Sequence, residues 1–399
     1  MEHVKIYAKT IEESARLQID ELANSEAYGK CRIRIMPDVH AGAGCTIGTV
    51  IDIDDRIVPN TVGVDIGCGM LVVELGKVDI DMPTLDTIIN NVIPSGFNIR
   101  CDFIDVFPDY HKLRCKEILD EDNVMRSIGT LGGGNHFIEI DEDVDGNKYL
   151  VIHTGSRNLG KRVCDHYQRI AMKCCDGKDA KCKLVEDLKS QGREKDIQSE
   201  VAKLPKAITN KDLAYLDVHR DGNLFFDYLN DMTTCQRYAE LNRHVIARLI
   251  CINMGWKPIG EFTTIHNYID MNGTVLRKGA VSARKGECLI IPMNMRDGSL
   301  ICRGKGNLEW LFSAPHGAGR IMSRGEARKT LQMEDFTATM SGIYSTSVCE
   351  ETIDESPMAY KPISEIMECI KDTVEIVNII KPIYNFKAKE QINRKEKNL

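Results

Sequence analysis

Short β-rich apolar runs alternate along this chain with longer segments in which apolar residues recur at helical spacing. We predict helices over residues 10–24, 111–127, 158–175, 223–252 and 363–378, and strands at RIRIM, GTVIDI, MLVVEL, YLVIHT, EFTTIH and ECLIIP. No internal repeat and no low-complexity segment interrupts the alternation. The pattern therefore predicts an α/β fold of the mixed α+β type.

The stretch 176–212 differs from the rest of the chain because it is rich in Lys, Asp and Glu of mixed sign. Such a composition is typical of a solvated surface, so we predict an exposed charged excursion that leaves and rejoins the same fold. The polar residues 388–399 predict a flexible tail. We find no convincing domain break and expect a single domain over residues 1–399.

The composition, with 43% hydrophobic and 28% charged residues, is that of an ordinary soluble globular protein. No window approaches a membrane span, and the N-terminal MEHVKIYAKTIEESARLQIDE lacks the apolar core of a signal peptide, so we expect a cytoplasmic location and no membrane partner. Fifteen cysteines without a C-x-x-C pair predict reduced thiols. The net charge of -7 excludes a strongly basic nucleic-acid coat, although a local arginine cluster can still bind a polyanion.

The segment SAPHGAGRIMSR surrounds one histidine, His316, with small and basic residues. Gly317 and Gly319 would let a large ligand lie against the main chain. If a helix starts after these glycines, Arg320 and Arg324 stand on one face and offer two guanidinium forks to phosphate oxygens. The segment predicts a histidine placed beside phosphates; the alternative is a turn and helix start without a ligand.

Carboxylate, thiolate and imidazole side chains recur where strand-like runs end or are interrupted, at Asp65, Cys68, His136, His153 and His266. Strand ends are rigid platforms, and these three groups are common ligands of divalent transition metals. We therefore predict a metal site, although a lone histidine at a strand end is more often structural. Sulfur with imidazole favours zinc, while the oxygen ligand also admits manganese or iron, so spacing alone leaves the metal open.

Three further segments contain residues suited to binding or orienting anions. The glycines before Asn135 either expose backbone N–H groups to an anion or only form a tight strand connection. In MPDVHAGAG, Asp38 could hold an imidazole in one tautomer. Ser156 and Arg157, just beyond His153, either contact phosphate or serve as a helix N-cap and a surface arginine.

The ordered motifs MPDVHAGAG, VGVDIGCGM, GTLGGGNHFIEI, HTGSRNLG, HNYID, IIP, APHGAGRIMSR and DESPMAYK resemble the RtcB family of RNA-splicing ligases, from about residue 30 to residue 387. The resemblance implies one RtcB-like catalytic fold with a metal and nucleotide site at strand ends. It implies that RNA ends carrying a 3′-phosphate or 2′,3′-cyclic phosphate are joined to 5′-hydroxyl ends, with GTP and two Mn²⁺ ions. RNA is then the partner, and we expect a monomer. The resemblance leaves open whether an activating helper protein takes part.

The resemblance also implies roles for individual residues. His316 is the implied nucleophile that takes a guanylyl group from GTP, and Asp38 joins it in the catalytic set. The implied manganese ligands are Asp65, Cys68, His136, His153 and His266, with Cys68 bridging two ions. The implied guanylate contacts are Asn135, Phe137, Glu139, His266, Asn267, Pro292, Met293, Asn294, Met295, Ser299, His316, Gly317, Ala318, Gly319, Tyr360 and Lys387. The implied contacts to RNA or triphosphate oxygens are Arg157, Arg320 and Arg324.

Two other functions compete with ligation. A metal-dependent RNA phosphoesterase would act on cyclic phosphate ends without joining them, and it would need neither GTP nor a covalent role for His316. A non-catalytic RNA-binding subunit would use its glycines only to shape a fold. The set of metal-type side chains argues against the second function, because binding alone does not explain it. The phosphoesterase stays open.

Overall fold

The computed structural model describes residues 3–202, 210–271 and 274–388. Within these residues the strands are β1 Val4–Ile6, β2 Arg32–His40, β3 Ile47–Asp52, β4 Arg56–Ile57, β5 Gly69–Gly76, β6 Phe137–Glu142, β7 Lys148–Thr154, β8 Leu216–Asp217, β9 Gly260–Ile265, β10 Asn267–Asp270, β11 Val275–Lys278, β12 Ala280–Ser282, β13 Cys288–Asn294, β14 Gly298–Gly304, β15 Ser313–Pro315 and β16 Val374–Lys387. The helices are α1 Glu13–Ala23, α2 Pro59–Val62, α3 Met82–Val92, α4 Glu121–Arg126, α5 Arg157–Cys175, α6 Lys178–Ser190, α7 Ile197–Val201, α8 Val218–Met254, α9 Arg324–Thr330, α10 Met333–Thr339 and α11 Ile363–Cys369. Short 3₁₀ turns lie at Pro108–Lys112, Lys116–Ile118, Glu194–Asp196, Lys211–Leu213, Leu308–Trp310, Glu350–Glu355 and Pro357–Ala359.

A seven-stranded antiparallel sheet, in the order β13-β14-β16-β6-β7-β5-β9, positions the chemistry predicted from the sequence. Because its neighbouring strands run in opposite directions, the starts of β5 and β6 meet the ends of β7 and β9 at one edge. Gly69 pairs with Thr154 and Ile265, and Phe137 pairs with His153. Segments that are distant in sequence therefore converge at this edge.

A second sheet, in the order β1-β2-β3-β11-β10, is antiparallel except for the parallel pair β1 and β2. The long helix α8 contacts both sheets: it packs against β5 and β7 of the first and β10 of the second, and also against α3 and α5. Tyr228 and Met232 of α8 join the largest apolar cluster, and Ile246 and Ile250 join the cluster under the seven-stranded sheet. One long helix thus supports the edge where the strands converge.

The mixture of helices and sheets predicted from the sequence is confirmed, and each of the six predicted strands overlaps an observed strand. The helix predicted over 111–127 is wrong for most of its length, since only α4 is a regular α-helix there. Asp120 caps α4 through the backbone N–H of Asn123. Upstream, the carboxylate of Asp231 accepts the N–H groups of Arg114 and Cys115 at 2.8 and 3.0 Å, which stabilises an irregular segment.

The helix predicted over 363–378 is correct only for α11. From Val374 onward the chain forms β16, which lies in the sheet between β14 and β6. The segment VEIVNII is rich in β-branched residues, which fit a pleated and partly buried surface better than a helix.

The charged stretch 176–212 contains α6, a 3₁₀ turn and α7, and most of its described side chains are exposed or half-buried. Residues 203–209 and nearly all of the predicted tail 388–399 lie outside the described residues, so the excursion and the tail stay predictions. No helix in the described part of the chain has both the length and the apolarity needed to cross a membrane.

Candidate active site

The side chains of the five predicted metal ligands form a continuous row of donor atoms where β5, β6, β7 and β9 meet. The Sγ of Cys68 lies 3.4 Å from Nε2 of His136 and 3.3 Å from Nε2 of His153. At one end, Nε2 of His136 lies 2.9 Å from Oδ2 of Asp65. At the other end, Nε2 of His153 lies 3.4 Å from Nε2 of His266. The structure therefore brings all five predicted metal ligands together, with the thiol in the middle.

The surroundings of the row leave its donor atoms available for a cation. Nδ1 of His136 donates to the carbonyl of Leu131 at 3.0 Å, and Nδ1 of His153 donates to the carbonyl of Asn135 at 3.2 Å. With a cation in the row, each ring would thereby be held in the tautomer whose Nε2 lone pair faces that cation. Thiolate, imidazole and carboxylate ligands fit a divalent transition metal, and a central sulfur suits two ions that share one ligand.

Burial controls the charge of these groups. It is the main cause that lowers the pKa of His153 and His266 well below the ordinary value, so both imidazoles are neutral, as metal ligands must be. Burial, and then the nearby carboxylate of Asp65, raises the pKa of the Cys68 thiol well above its ordinary value. A bound cation would reverse that shift, because it stabilises the thiolate.

Two buried residues of α8, which we did not predict from the sequence, hold the loops of this row. The side-chain oxygen of Asn242 accepts the backbone N–H of Thr130 at 3.1 Å. Nη1 of Arg243 donates to the carbonyls of Gly67 and Thr154, at 3.0 Å each. Burial lowers the pKa of Arg243 to about 10. An adjacent Asn-Arg pair on the mostly apolar buried face of a long helix is the sequence signal that could have revealed them.

His316 lies beside the row, with its ring centroid 4.6 Å from that of His266. Its Nδ1 is 2.7 Å from Oδ2 of Asp38, and its backbone N–H donates to the same oxygen at 3.1 Å. Asp38 is fully buried in β2. An ionised carboxylate only accepts, so Nδ1 carries the proton and Nε2 keeps its lone pair. The imidazole that Asp38 orients is therefore His316.

The glycine segment after His316 makes a close backbone approach but does not start a helix. Gly319 has φ +74°, and a Cβ there would lie 2.2 Å from the carbonyl oxygen of Asp38. Arg320 forms an isolated antiparallel bridge with Tyr360, and α9 begins only at Arg324. The prediction that both arginines share one helical face is therefore wrong, because the tight approach to β2 and the bridge to Tyr360 keep the segment before Arg324 out of a helix.

His316 opens into a cavity of about 570 Å³, within the size range of small-molecule sites. Most of the predicted guanylate contacts line it: Asn135, Phe137, Glu139, Pro292, Met293, Asn294, Met295, His316, Gly317, Ala318, Gly319, Tyr360 and Lys387. His40 and Glu355 also line the cavity, although we had not assigned either of them to the nucleotide. The cavity joins segments from both large sheets around the predicted nucleophile.

Comparison with known proteins identifies the family. A family model described as tRNA-splicing ligase RtcB matches residues 18–118 and 110–388. The chain belongs to the RtcB family. It is 32% identical to the RNA-splicing ligase RtcB of Escherichia coli strain K12, over 95% of this chain and 96% of that protein. It is 26% identical to the tRNA-splicing ligase RtcB of Aeropyrum pernix, over 90% of this chain and 88% of that protein. The resemblance drawn from the motifs is confirmed.

Three predicted guanylate contacts of this RtcB-family chain are absent from the cavity wall. Asn267 donates to the carbonyl of Asp65 at 3.1 Å and accepts the N–H of Gly279 at 3.0 Å, so its side chain braces the donor row. Ser299 is buried within β14. His266 belongs to the row itself. In the structure these side chains contact neighbouring backbone groups, strands or the donor row, and their contact with guanylate stays a prediction.

A buried carboxylate, Glu355, ties together four residues of the RtcB-family cavity. It accepts from Nζ of Lys387 at 2.7 Å and from the hydroxyl of Tyr360 at 2.8 Å. It also forms ion pairs with Arg324 at 2.8 Å and Arg320 at 3.4 Å. Burial raises the pKa of Glu355, but Lys387 and Arg324 outweigh burial and lower that pKa to about 2. In the sequence, Glu355 could have been chosen as a site residue because it lies in the motif DESPMAYK.

Proposed function

We propose that this chain is a GTP- and manganese-dependent RNA ligase that joins a 3′-phosphate or 2′,3′-cyclic phosphate end to a 5′-hydroxyl end. The observation that carries the proposal is the placement of His316 between the donor row and the cavity, with Nδ1 occupied by Asp38 and Nε2 free to form a bond. The names of the relatives, which are RNA-splicing and tRNA-splicing ligases, support RNA as the substrate class.

The cavity supports GTP as the nucleotide. Oε1 of Glu139 is buried at the cavity wall and has no hydrogen-bond partner among the described residues. A buried acceptor of this kind favours a ligand that brings N–H donors. Guanine carries an N1–H and an amino group on one edge, whereas adenine presents an acceptor at N1. The unpaired oxygen therefore favours a base that brings an N–H donor, and the family resemblance selects guanine.

The donor row fits a pair of divalent cations. Asp65, His136 and Cys68 would hold one ion, and Cys68, His153 and His266 would hold the other. The family resemblance, rather than the donor set, selects manganese over zinc. When bound, the ions would neutralise the charge of the triphosphate and of the RNA phosphate.

The first chemical step forms a covalent guanylate on His316. Nε2 attacks the α-phosphorus of GTP, a phosphorus–nitrogen bond forms, the bond to the bridging oxygen breaks, and pyrophosphate leaves. Asp38 keeps the proton on Nδ1 and stabilises the positive charge that develops on the ring. An unprotonated imidazole is already a competent nucleophile near pH 7, so no additional base is required.

The later steps use the guanylate to activate RNA. An oxygen of the RNA 3′-phosphate attacks the guanylate phosphorus, and the bond to His316 breaks. The 5′-hydroxyl of the second RNA then attacks the 3′-phosphate, forming the new phosphodiester and releasing GMP. A cyclic phosphate end is first opened by water. Arg157, on the groove side of the donor row, and Arg324, which is 38% exposed at the cavity, are the guanidinium groups available to phosphate oxygens.

A ligation assay tests the proposal. Purified protein is incubated with labelled RNA halves that carry 3′-phosphate or cyclic phosphate and 5′-hydroxyl ends, with Mn²⁺ and either GTP or ATP. We expect joined RNA with GTP, little with ATP, and one pyrophosphate released per junction. Cyclic ends that are opened without GTP and never joined would instead establish the phosphoesterase.

A further inference from the structure

A second depression, a groove of about 1400 Å³, lies next to the donor row, and of its lining only Arg157 has a role in the steps above. The turn Gly133–Gly134 lines the groove, while the adjoining Asn135 lines the cavity of His316. Lys387 lines both depressions. The groove is larger than a typical small-molecule site and shares Lys387 with the cavity, so its size suits a polymer rather than a second nucleotide.

An aromatic side chain projects from the wall of this groove. Phe97 is 98% exposed, although a phenyl ring is usually buried in a folded protein. Its loop is firmly held: Gly96 N–H donates to the carbonyl of Gly132 at 2.9 Å, and Leu131 N–H donates to the carbonyl of Pro94 at 2.9 Å. These backbone hydrogen bonds therefore hold the loop in the conformation in which Phe97 is exposed.

Arg157 connects the Phe97 loop to the donor row. Its Nη2 donates to the carbonyl of Gly96 at 3.0 Å, and its Nε donates to the hydroxyl of Thr130 at 3.0 Å. The backbone of Arg157 has φ +57°, a left-handed conformation that is unfavourable for a residue with a side chain. Strain of this kind persists where the surrounding structure enforces it, often at functional sites.

The charge of the groove complements an anion. Its lining contains four basic residues, Arg157, Lys161, Arg162 and Lys387, and two acidic ones, Glu117 and Asp120. Lys161 and Lys387 are already paired with carboxylates. Within the described residues, neither Arg157 nor Arg162 has a carboxylate at ion-pair distance. Unpaired guanidinium groups beside an exposed ring are the features by which proteins bind single-stranded nucleic acid.

We propose that this groove binds the single-stranded RNA that leads to the ligation junction, with Phe97 stacking on one of its bases. The inference rests on the proposed ligase function, because it assigns the groove to that enzyme's substrate. Stacking on Phe97 needs no particular base, since every base has a π-face, so the groove accepts different sequences. The rigid loop holds the stacked base in a fixed relation to Arg157 and the donor row.

Substitutions of Phe97 separate RNA binding from nucleotide chemistry. Phe97→Ala is expected to raise the KM for RNA about tenfold or more, while guanylate adduct formation, which requires no RNA, stays unchanged. Phe97→Tyr should restore the KM because it keeps the ring, and Phe97→Leu should not. Val144→Ala is the matched control, because Val144 is 94% exposed at the β6–β7 turn, the end of the sheet opposite the donor row.

A direct binding measurement uses Phe97→Trp. A single-stranded RNA with a 3′-phosphate should quench the added tryptophan fluorescence, and the Val144→Trp control should show no such change. Unchanged KM and fluorescence at position 97, or full activity of Phe97→Leu, would overturn the stacking proposal even if ligation proceeds. If RNA binds at Phe97 but the enzyme forms no adduct and joins no ends, RNA binding in the groove is supported and the ligase function is contradicted.

Discussion

Nδ1 of His316 lies 2.7 Å from Oδ2 of Asp38, although the two residues are 278 positions apart in the chain. The contact occupies one ring nitrogen and leaves the other facing the reacting region. It also places a buried negative charge where a positive imidazole would develop during attack on phosphorus. In the proposed mechanism, the pair would direct His316 to act through Nε2.

The role of Asp38 is tested by Asp38→Asn. The amide can donate to Nδ1 and favour the wrong tautomer, so we expect adduct formation from GTP to slow by about 10² to 10⁴-fold while bound metal is unchanged. Single-turnover labelling gives the rate and metal analysis gives the content. Asp52→Asn, at an exposed ion pair of β3, is the control. A rate within a few-fold of the parent protein would show that Asp38 does not set the tautomer.

The central position of Cys68 predicts that its loss affects both metal positions. Cys68→Ala should remove two Mn²⁺ ions per chain, whereas His266→Ala, at one end of the row, should weaken only one. Equilibrium dialysis followed by metal analysis measures both variants. Cys164→Ala replaces another buried cysteine, outside the row, and should keep the full metal content. A Cys68→Ala protein that retains two ions would contradict the shared-ligand arrangement.

Arg243 should determine how firmly the donor loops are held. Arg243→Met removes the hydrogen bonds to the carbonyls of Gly67 and Thr154 and should weaken metal binding about 10 to 100-fold. Titration with Co²⁺, followed through its thiolate absorption band, reports on binding apart from activity. Arg248→Met, on the exposed face of the same helix, is the matched control and should titrate normally. Equal metal affinities of Arg243→Met and the parent protein would show that Arg243 contributes only to core packing.

The sequence predicted the types of residues in the site better than their pairing. The five donor residues could be proposed because each follows or interrupts a strand-like run. His316 could be proposed from the glycines and arginines around it, and Asp38 from its place beside glycines in MPDVHAGAG. Their convergence depends on the antiparallel order of β5, β6, β7 and β9, which connects segments far apart in the chain. Local periodicity contains no information on that order.

The two arginines after His316 show where sequence reasoning failed. The i, i+4 spacing of Arg320 and Arg324 predicted a shared helical face, but Gly319 holds the segment against β2, and both side chains form ion pairs with a buried carboxylate, Glu355. Glu355 lies more than thirty residues away in sequence, so no local pattern places it there. Likewise, most of the helix predicted over 111–127 is absent, because the carboxylate of Asp231 binds the N–H groups of residues 114 and 115 in an irregular segment.

The low pKa of Glu355, about 2 in the folded protein against an ordinary value of 4.5, predicts a pH window for stability. A depressed carboxyl pKa stabilises the fold above pH 4.5, and that contribution is lost as the pH falls toward 2. Glu355→Gln should therefore lower the free energy of unfolding by about 3–5 kcal/mol, equally from pH 8 to pH 5. Denaturant unfolding measures the difference. A difference that already shrinks above pH 5 would show that Glu355 is not held ionised.

The covalent role of His316 is tested most directly by incubating metal-stripped protein with α-labelled GTP, with and without Mn²⁺, and measuring label that stays on the protein after denaturation. We predict manganese-dependent label that is acid-labile and alkali-stable, as expected of a phosphorus–nitrogen bond, and that is absent from His316→Ala of normal metal content. Label that persists in His316→Ala, or a parent protein that acquires none with any metal, would contradict the account.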